Sequence, residues 1–370
     1  MSSLSDFLDE LTVEGEIYEK LEDGSVRCHA CGHRCLIREG KRGICQVRFN
    51  EGGVLHVPSG YVAALQSDPI EKKPFFHVLP GSNALTFGML GCDYHCGYCQ
   101  NWLTSQAMRD PASDVAANLV RRITAEQMIA TARKTHANVV VSSYNEPLIT
   151  SEWAVEIFKK AKEAGLMCAY VSNGNNTLEV MEYLRPYLSA YKVDLKCMND
   201  KNYRKLGGTL QNTLDGIQRA REMGLWVEVV TLVIPGFNDS NEELWETARF
   251  LMSQSPDIPW HVTAFHKDYK MLDPANTDSN TLLRAAEIGR EAGLRYVYAG
   301  NLPGNVGEYE DTHCPGCNYR LVRRSGYVIR EYRLIGEGKC PKCNTVVAGV
   351  WPKDPSTVVL NGLGYPLPVW

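Results

Sequence analysis

Cys92-Asp93-Tyr94-His95-Cys96-Gly97-Tyr98-Cys99 places three cysteines within eight residues. The stretch follows an apolar run, Ala84 to Leu90, closed by Gly91, so the sulfurs are expected on a loop at the C-terminal end of a β-strand. Closely spaced cysteine thiolates suit an iron–sulfur cluster. A four-iron cubane held by only three protein sulfurs keeps one iron open to an outside ligand. Cys92, Cys96 and Cys99 are read as the ligands of such a cluster. Zinc is the competing use of grouped cysteines, but zinc knuckles present two ligand pairs and this triplet has no fourth partner nearby in sequence.

Eleven of the thirteen cysteines fall into three groups that also divide the chain. The first group, Cys28-x2-Cys31-x3-Cys35-x9-Cys45, lies in a segment rich in glycine and arginine (Arg34, Arg38, Gly40, Arg42, Gly43). Its irregular spacing fits zinc or a second iron–sulfur cluster, with zinc the first reading. The triplet is the second group. The third, Cys314-x2-Cys317-x22-Cys340-x2-Cys343, pairs two CxxC knuckles around strand-like sequence from Tyr319 to Leu334. That is the pattern of a zinc ribbon, where four thiolates complete the tetrahedron and the ion is structural; an auxiliary iron–sulfur cluster is the competing reading. Cys168 and Cys197 sit in or beside apolar runs and read as core residues.

Composition fits a large soluble enzyme. The 370 residues, 44% of them hydrophobic, provide for two or three units with a substantial core. The N-terminus has neither a basic nor an apolar leader region and nothing resembles a membrane span, so a cytoplasmic location is expected. There the cysteines serve metals rather than disulfides. A net charge of −4 with interspersed signs gives no sign of nucleic-acid or bilayer binding.

Between the outer cysteine groups, helical patterns near 124–136, 151–164, 177–185, 212–223, 240–254 and 280–292 alternate with apolar runs. Among those runs are Asn138-Val-Val-Val-Ser-Ser and Trp226-Val-Glu-Val-Val-Thr-Leu-Val-Ile. Alternation of this kind predicts right-handed βαβ units around a parallel sheet. About six repeats predict an α/β architecture: a partial (β/α)6 barrel over 81–300, flanked by a Cys-rich metal-binding segment over 1–80 and a zinc ribbon over 301–370. No Gly-x-Gly-x-x-Gly follows a strand.

Reactive groups of parallel barrels project from the C-terminal ends of strands. Polar residues that interrupt the ends of these runs are therefore the candidates. Glu146, in Tyr144-Asn-Glu-Pro147, can accept charge-assisted hydrogen bonds from an ammonium. Ser172 and Asn173 supply small donors and acceptors. Asp194 and Lys196, two apart in an extended segment, should face the same way. Val233-Ile-Pro-Gly236 could flank an aromatic base, and Phe265-His266 ends the sixth run.

The x3-then-x2 cysteine spacing, with the aromatic Tyr98 before the last cysteine, resembles that of the radical S-adenosylmethionine (SAM) superfamily. The segments Asp194-Leu-Lys196 and Phe265-His266 resemble those of glycyl-radical-enzyme activases of the pyruvate formate-lyase activating enzyme type. That resemblance implies a [4Fe-4S] cluster that reductively cleaves SAM to methionine and a 5′-deoxyadenosyl radical, which then abstracts hydrogen from a substrate, a protein or peptide in activases. It implies that Tyr98, Glu146, Ser172, Asn173, Asp194, Lys196 and His266 form the SAM site. The family carries paired glycines before its acidic residue where this chain has Tyr144-Asn145. A low-potential electron donor, ferredoxin or flavodoxin, is implied as partner. Across nearly the whole chain, the cysteine quartet, Asp68-Pro-Ile-Glu-Lys-Lys-Pro74, Gln100-Asn101, Tyr296-Val-Tyr-Ala-Gly-Asn301 and Gly349-Val-Trp351 resemble the radical SAM enzyme of the AmmeMemoRadiSam system. That family is named for its association with Memo-like and AMMECR1-like proteins, and the resemblance names no substrate. The alternative is a non-catalytic iron–sulfur and zinc scaffold for those two partners.

Overall fold

The computed structural model describes residues 4–369. Its centre is a nine-stranded sheet. Seven parallel strands follow one another in sequence order: Asn83–Gly88, Ala137–Ser142, Met167–Ser172, Ala190–Asp194, Trp226–Val233, Trp260–Ala264 and Val297–Gly300. Most of their residues are buried on both faces, as in a sheet covered by crossover helices.

Six helices make those crossovers: Ala125–Lys134, Ser151–Glu163, Leu178–Leu184, Leu210–Glu222, Asn241–Gln254 and Ser279–Glu291. Each falls within two residues of its predicted span. Several start on a side-chain cap. Thr124 and Gln127 form a reciprocal capping box, and Thr177, Ser240 and Asp278 each accept a backbone N–H of the first turn.

The sheet extends beyond the six repeats read from sequence. Val297–Gly300 adds a seventh parallel strand. On the other side, Ala64–Pro69 pairs antiparallel with Asn83–Gly88, and Leu367–Pro368 pairs antiparallel with Ala64–Pro69. Residues from the expected outer segments thus build one margin of the central sheet, which runs as an open ladder from Val297–Gly300 to Leu367–Pro368.

The outer segments carry small antiparallel sheets of their own. Near the N-terminus, Thr12–Glu14, Val54–Pro58 and Phe49–Glu51 form one, and Tyr18–Lys20, Val26–Cys28 and Leu36–Ile37 another. Near the C-terminus, Thr312–His313, Arg320–Ser325 and Val328–Tyr332 form a third. Both segments are tied to the centre by buried charge. Arg48 pairs with Glu152 at the start of the second crossover helix. Glu228 in the fifth parallel strand accepts from the backbone N–H groups of Phe76 and His77 and pairs with His261 at 2.7 Å. Arg324 donates to the Phe76 carbonyl at 2.9 Å and to Thr312 at 2.7 Å.

Among the described residues, no helix is long and apolar enough to cross a membrane, and all thirteen cysteines are free.

Candidate active site

The first parallel strand ends at Gly88, and the chain turns through Gly91 (φ +92°) into the cysteine triplet. A Cβ on Gly91 would lie 2.7 Å from Val47 and 3.1 Å from the Cys45 carbonyl. The N-terminal segment therefore packs directly on the root of the triplet loop. Across the strand ends, Tyr144 occupies a left-handed backbone conformation (φ +67°) that glycine adopts most easily. Its hydroxyl, which donates to Asp68 at 2.6 Å and to Gln66 at 3.0 Å, fixes that turn from outside.

Cys92, Cys96 and Cys99 together line a cavity of about 100 Å³. Glu146, Ser172, Asn173, Asp194 and Lys196 line the same cavity, so five of the seven residues expected to bind the cofactor converge on the three sulfurs. Burial pushes all three thiols up, Cys96 to about 12. A thiolate there calls for positive charge of the kind that cluster iron provides. A larger cavity of about 350 Å³ opens beside it and shares Cys96, Cys99, Tyr144, Asp194 and Lys196. Tyr98 lines the larger one.

The polar network around Glu146 is nearly complete without a ligand. One carboxylate oxygen accepts from Ser172 Oγ at 2.7 Å and from the Leu148 N–H at 3.2 Å, and the other accepts from the Asn173 N–H at 2.7 Å. Burial, with the charge of Asp93 next, pushes its carboxyl up to about 8. Ser172 also receives hydrogen bonds from Tyr191 and Gly174. The side chain of Asn173 donates to Asp93 at 2.7 Å and accepts from the Asn175 N–H at 2.9 Å. Ser172 and Asn173 are thus engaged within the protein: they hold Glu146 and Asp93 in place.

Asp194 and Lys196 approach to 3.7 Å, as their spacing predicts. Burial favours the neutral form of Asp194, but the ammonium groups of Lys192 and Lys196 hold its carboxyl below the ordinary value. His266 is exposed and lines neither cavity. It hydrogen-bonds the side chain of Gln100, the residue after Cys99, at 2.8 Å. Its segment lies over the cysteine loop, with the Lys270 N–H donating to the Gly97 carbonyl and Tyr269 stacked on Trp102.

Sequence reasoning missed Asp93, which is fully buried within the triplet and accepts from Asn173 and Asn175. It also missed Lys192, which shares a strand face with Asp194 and hydrogen-bonds to it. The period-2 rule applied to Asp194 contained the signal for Lys192.

At the C-terminal ribbon, Cys314, Cys317, Cys340 and Cys343 bring their sulfurs within 4.8 Å of one another, a possible site for a single metal ion. Among the described residues no other group of metal-ligating side chains reaches that spacing. Cys28, Cys31, Cys35 and Cys45 are set wider. Arg48 donates to Cys28 Sγ at 3.2 Å, and the Ile44 N–H donates to Cys35 Sγ at 3.4 Å.

The model of the radical SAM superfamily matches residues 87–251, from the end of the first parallel strand into the fifth crossover helix. The chain is 36% identical over 333 residues to the uncharacterized protein MJ0808 of Methanocaldococcus jannaschii, covering 89% of this chain and 97% of that one. It is 23% identical over 176 residues to the isethionate sulfite-lyase activating enzyme of Oleidesulfovibrio alaskensis, covering 46% of this chain and 56% of that enzyme. A domain of the pyruvate-formate lyase-activating enzyme from Bacteroides vulgatus superposes with a TM-score of 0.39 at 17% identity, over 44% of this chain and 98% of that domain. The chain belongs to the radical SAM superfamily. Membership implies a [4Fe-4S] cluster and SAM; the three thiols that line the small cavity fit the cluster, and the small cavity together with the larger one opening beside it at Asp194 and Lys196 fits SAM.

Proposed function

We propose that this chain is a radical SAM enzyme whose cluster is held by Cys92, Cys96 and Cys99 and whose substrate occupies the adjoining cavity. The observation that carries the proposal is the convergence of three thiols from one loop with Glu146, Asp194 and Lys196 from three strand ends around one cavity. When bound, the cluster and SAM would supply reductive cleavage of the sulfonium to methionine and a 5′-deoxyadenosyl radical able to take hydrogen from a substrate.

The protein's part is to bind, orient and exclude water. Glu146 is already held by Ser172 and Asn173, so its carboxyl group, ionised by the approach of a positive charge, would meet the methionyl ammonium without reorganising. Asp194 and Lys196 lie between the two cavities, where they address the ribose and carboxylate ends of SAM. Tyr98 forms an apolar wall 6.1 Å from Phe237. His266 and Gln100 cover the loop from the solvent side.

The ribbon's four cysteines are assigned a structural zinc. Their close spacing supports it, because about 2.3 Å from zinc to each sulfur brings tetrahedral ligands near one another. The wider N-terminal quartet is assigned zinc or a second iron–sulfur cluster, the two readings its irregular spacing allows. A cytoplasmic enzyme of the AmmeMemoRadiSam type is proposed, with a low-potential ferredoxin or flavodoxin as donor and Memo-like and AMMECR1-like proteins as partners. The order of motifs along the chain supports it.

The test is anaerobic reconstitution followed by dithionite and SAM, with 5′-deoxyadenosine read by mass spectrometry. Wild type should form it and Cys96→Ala should not. Absence of product from wild type, or undiminished product from Cys96→Ala, would defeat the proposal.

A further inference from the structure

Three lysines line the larger cavity and have no counterpart around the three sulfurs. Lys72, Lys73 and Lys192 border the cavity of about 350 Å³ but not the one of about 100 Å³, whereas Asp194 and Lys196 border both. Lys73 is nearly inaccessible to solvent. Its ammonium lies 2.7 Å from Asp68 and 4.3 Å from the centre of the Tyr144 ring. Asp68 also receives Lys72 at 3.0 Å, and Asp194 is likewise shared by Lys192 and Lys196.

Four ammonium groups therefore face two carboxylates. Burial weakens charge of both signs here, pushing the Glu71 carboxyl up to about 7 and the Lys73 ammonium down to about 8, and positive charge stays in excess. SAM does not cancel the surplus. Its carboxylate, ammonium and sulfonium sum to one positive charge, which offsets the single negative charge of an oxidised four-iron cluster with three thiolates. Uncompensated positive charge in a confined cavity is costly unless a ligand neutralises it.

We propose that the substrate is a small anion whose carboxylate or phosphate is received by Lys72, Lys73 and Lys192. This rests on the radical SAM reading and gives that reading its substrate class. The cavity also has to take the part of SAM that reaches past Asp194 and Lys196, so the anion is a compact one. Phe76, Tyr298 and Tyr327 form an apolar wall of the same cavity, suited to the carbon portion. The cavity is walled by all three parts of the chain: Lys72 and Lys73 precede the first parallel strand, Lys192 belongs to the fourth, and Tyr327 lies in the ribbon turn.

The test is calorimetric titration of the anaerobically reconstituted protein with inorganic phosphate, pyrophosphate and succinate, which separate phosphate from carboxylate recognition. At least one of the three should bind. Lys72→Gln, at a partly exposed position that folding tolerates, and Lys192→Met should each weaken that binding at least tenfold, about 1.4 kcal/mol. Arg330→Gln, on the arginine-rich face of the ribbon, should leave it unchanged. No binding of any of the three anions, full affinity in Lys72→Gln, or loss in Arg330→Gln would overturn the proposal. The SAM-induced change in the EPR signal of the reduced wild type is recorded on the same material. Its absence alongside anion binding would sink the radical SAM reading alone, and its presence without anion binding would sink the anion site alone.

Discussion

Replacing Glu152 by glutamine should loosen the N-terminal cysteine segment from the central sheet. Arg48 is 1% exposed and pairs with Glu152, whose side chain is 4% exposed. Apart from that pair, Arg48 has the Ile149 carbonyl at 2.9 Å and Cys28 Sγ at 3.2 Å. The isosteric change keeps the volume and the hydrogen-bonding oxygen but leaves a guanidinium charge buried without its counter-charge. Breaking one side of such a pair costs about 3–5 kcal/mol, whereas replacing both partners with apolar residues is often neutral. Glu152→Gln should therefore lose about 3 kcal/mol or more in urea unfolding followed by tryptophan fluorescence, to which the adjacent buried Trp153 contributes. Arg48→Met combined with Glu152→Leu should regain most of that loss. Metal content supplies a second readout, since Arg48 donates to a sulfur of the quartet: iron or zinc at that site should fall in both variants. A loss below about 1 kcal/mol in Glu152→Gln, or a double variant as unstable as the single one, would refute the assignment of this pair as a tie of the N-terminal segment.

Three further predictions follow from local geometry. Cys317→Ser should release about one equivalent of metal, measured by elemental analysis, because it removes one of four sulfurs set within 4.8 Å of each other. Gly216→Ala should destabilise by about 2 kcal/mol or more in thermal unfolding, since a Cβ there would collide with the Gly174 carbonyl and the Asn176 side chain; Gly97→Ala, with open space around it, should keep wild-type stability and iron content. Burial, reinforced by Arg324, lowers the His77 pKa from 6.5 to about 4. The unfolded chain therefore takes up the proton first on acidification, and this histidine's share of stability, about 3 kcal/mol, is complete above pH 6.5 and is lost as the pH falls to about 4. His77→Asn should flatten that segment of the stability–pH curve.

The alternation of helix and strand was legible because four of the six crossover helices start on a side-chain cap and inner strands such as Ala137–Ser142 and Trp226–Val233 are rich in β-branched residues. The seventh strand escaped because Val297–Gly300 is four residues long. Ala64–Pro69 escaped because its polar end, Ser67-Asp68-Pro69, does not look like an inner strand; only the paired structure reveals Asp68 buried beneath two lysines. Glu146, Asp194 and Lys196 could be found by inspecting strand ends, since topology brings those ends together. The saturation of Ser172 and Asn173 could not, because their partners lie as far away in sequence as Asp93 and Tyr191. Lys192 was passed over because it precedes the last residue of its strand.

Tyr327 belongs to the turn between Arg320–Ser325 and Val328–Tyr332, yet it helps enclose the cavity that Lys192 enters from the central sheet. The C-terminal segment therefore forms part of that cavity's wall as well as carrying the four clustered cysteines. Loss of order at the four clustered cysteines would therefore be felt as a change in what that cavity admits, even where the loop of Cys92, Cys96 and Cys99 keeps its shape.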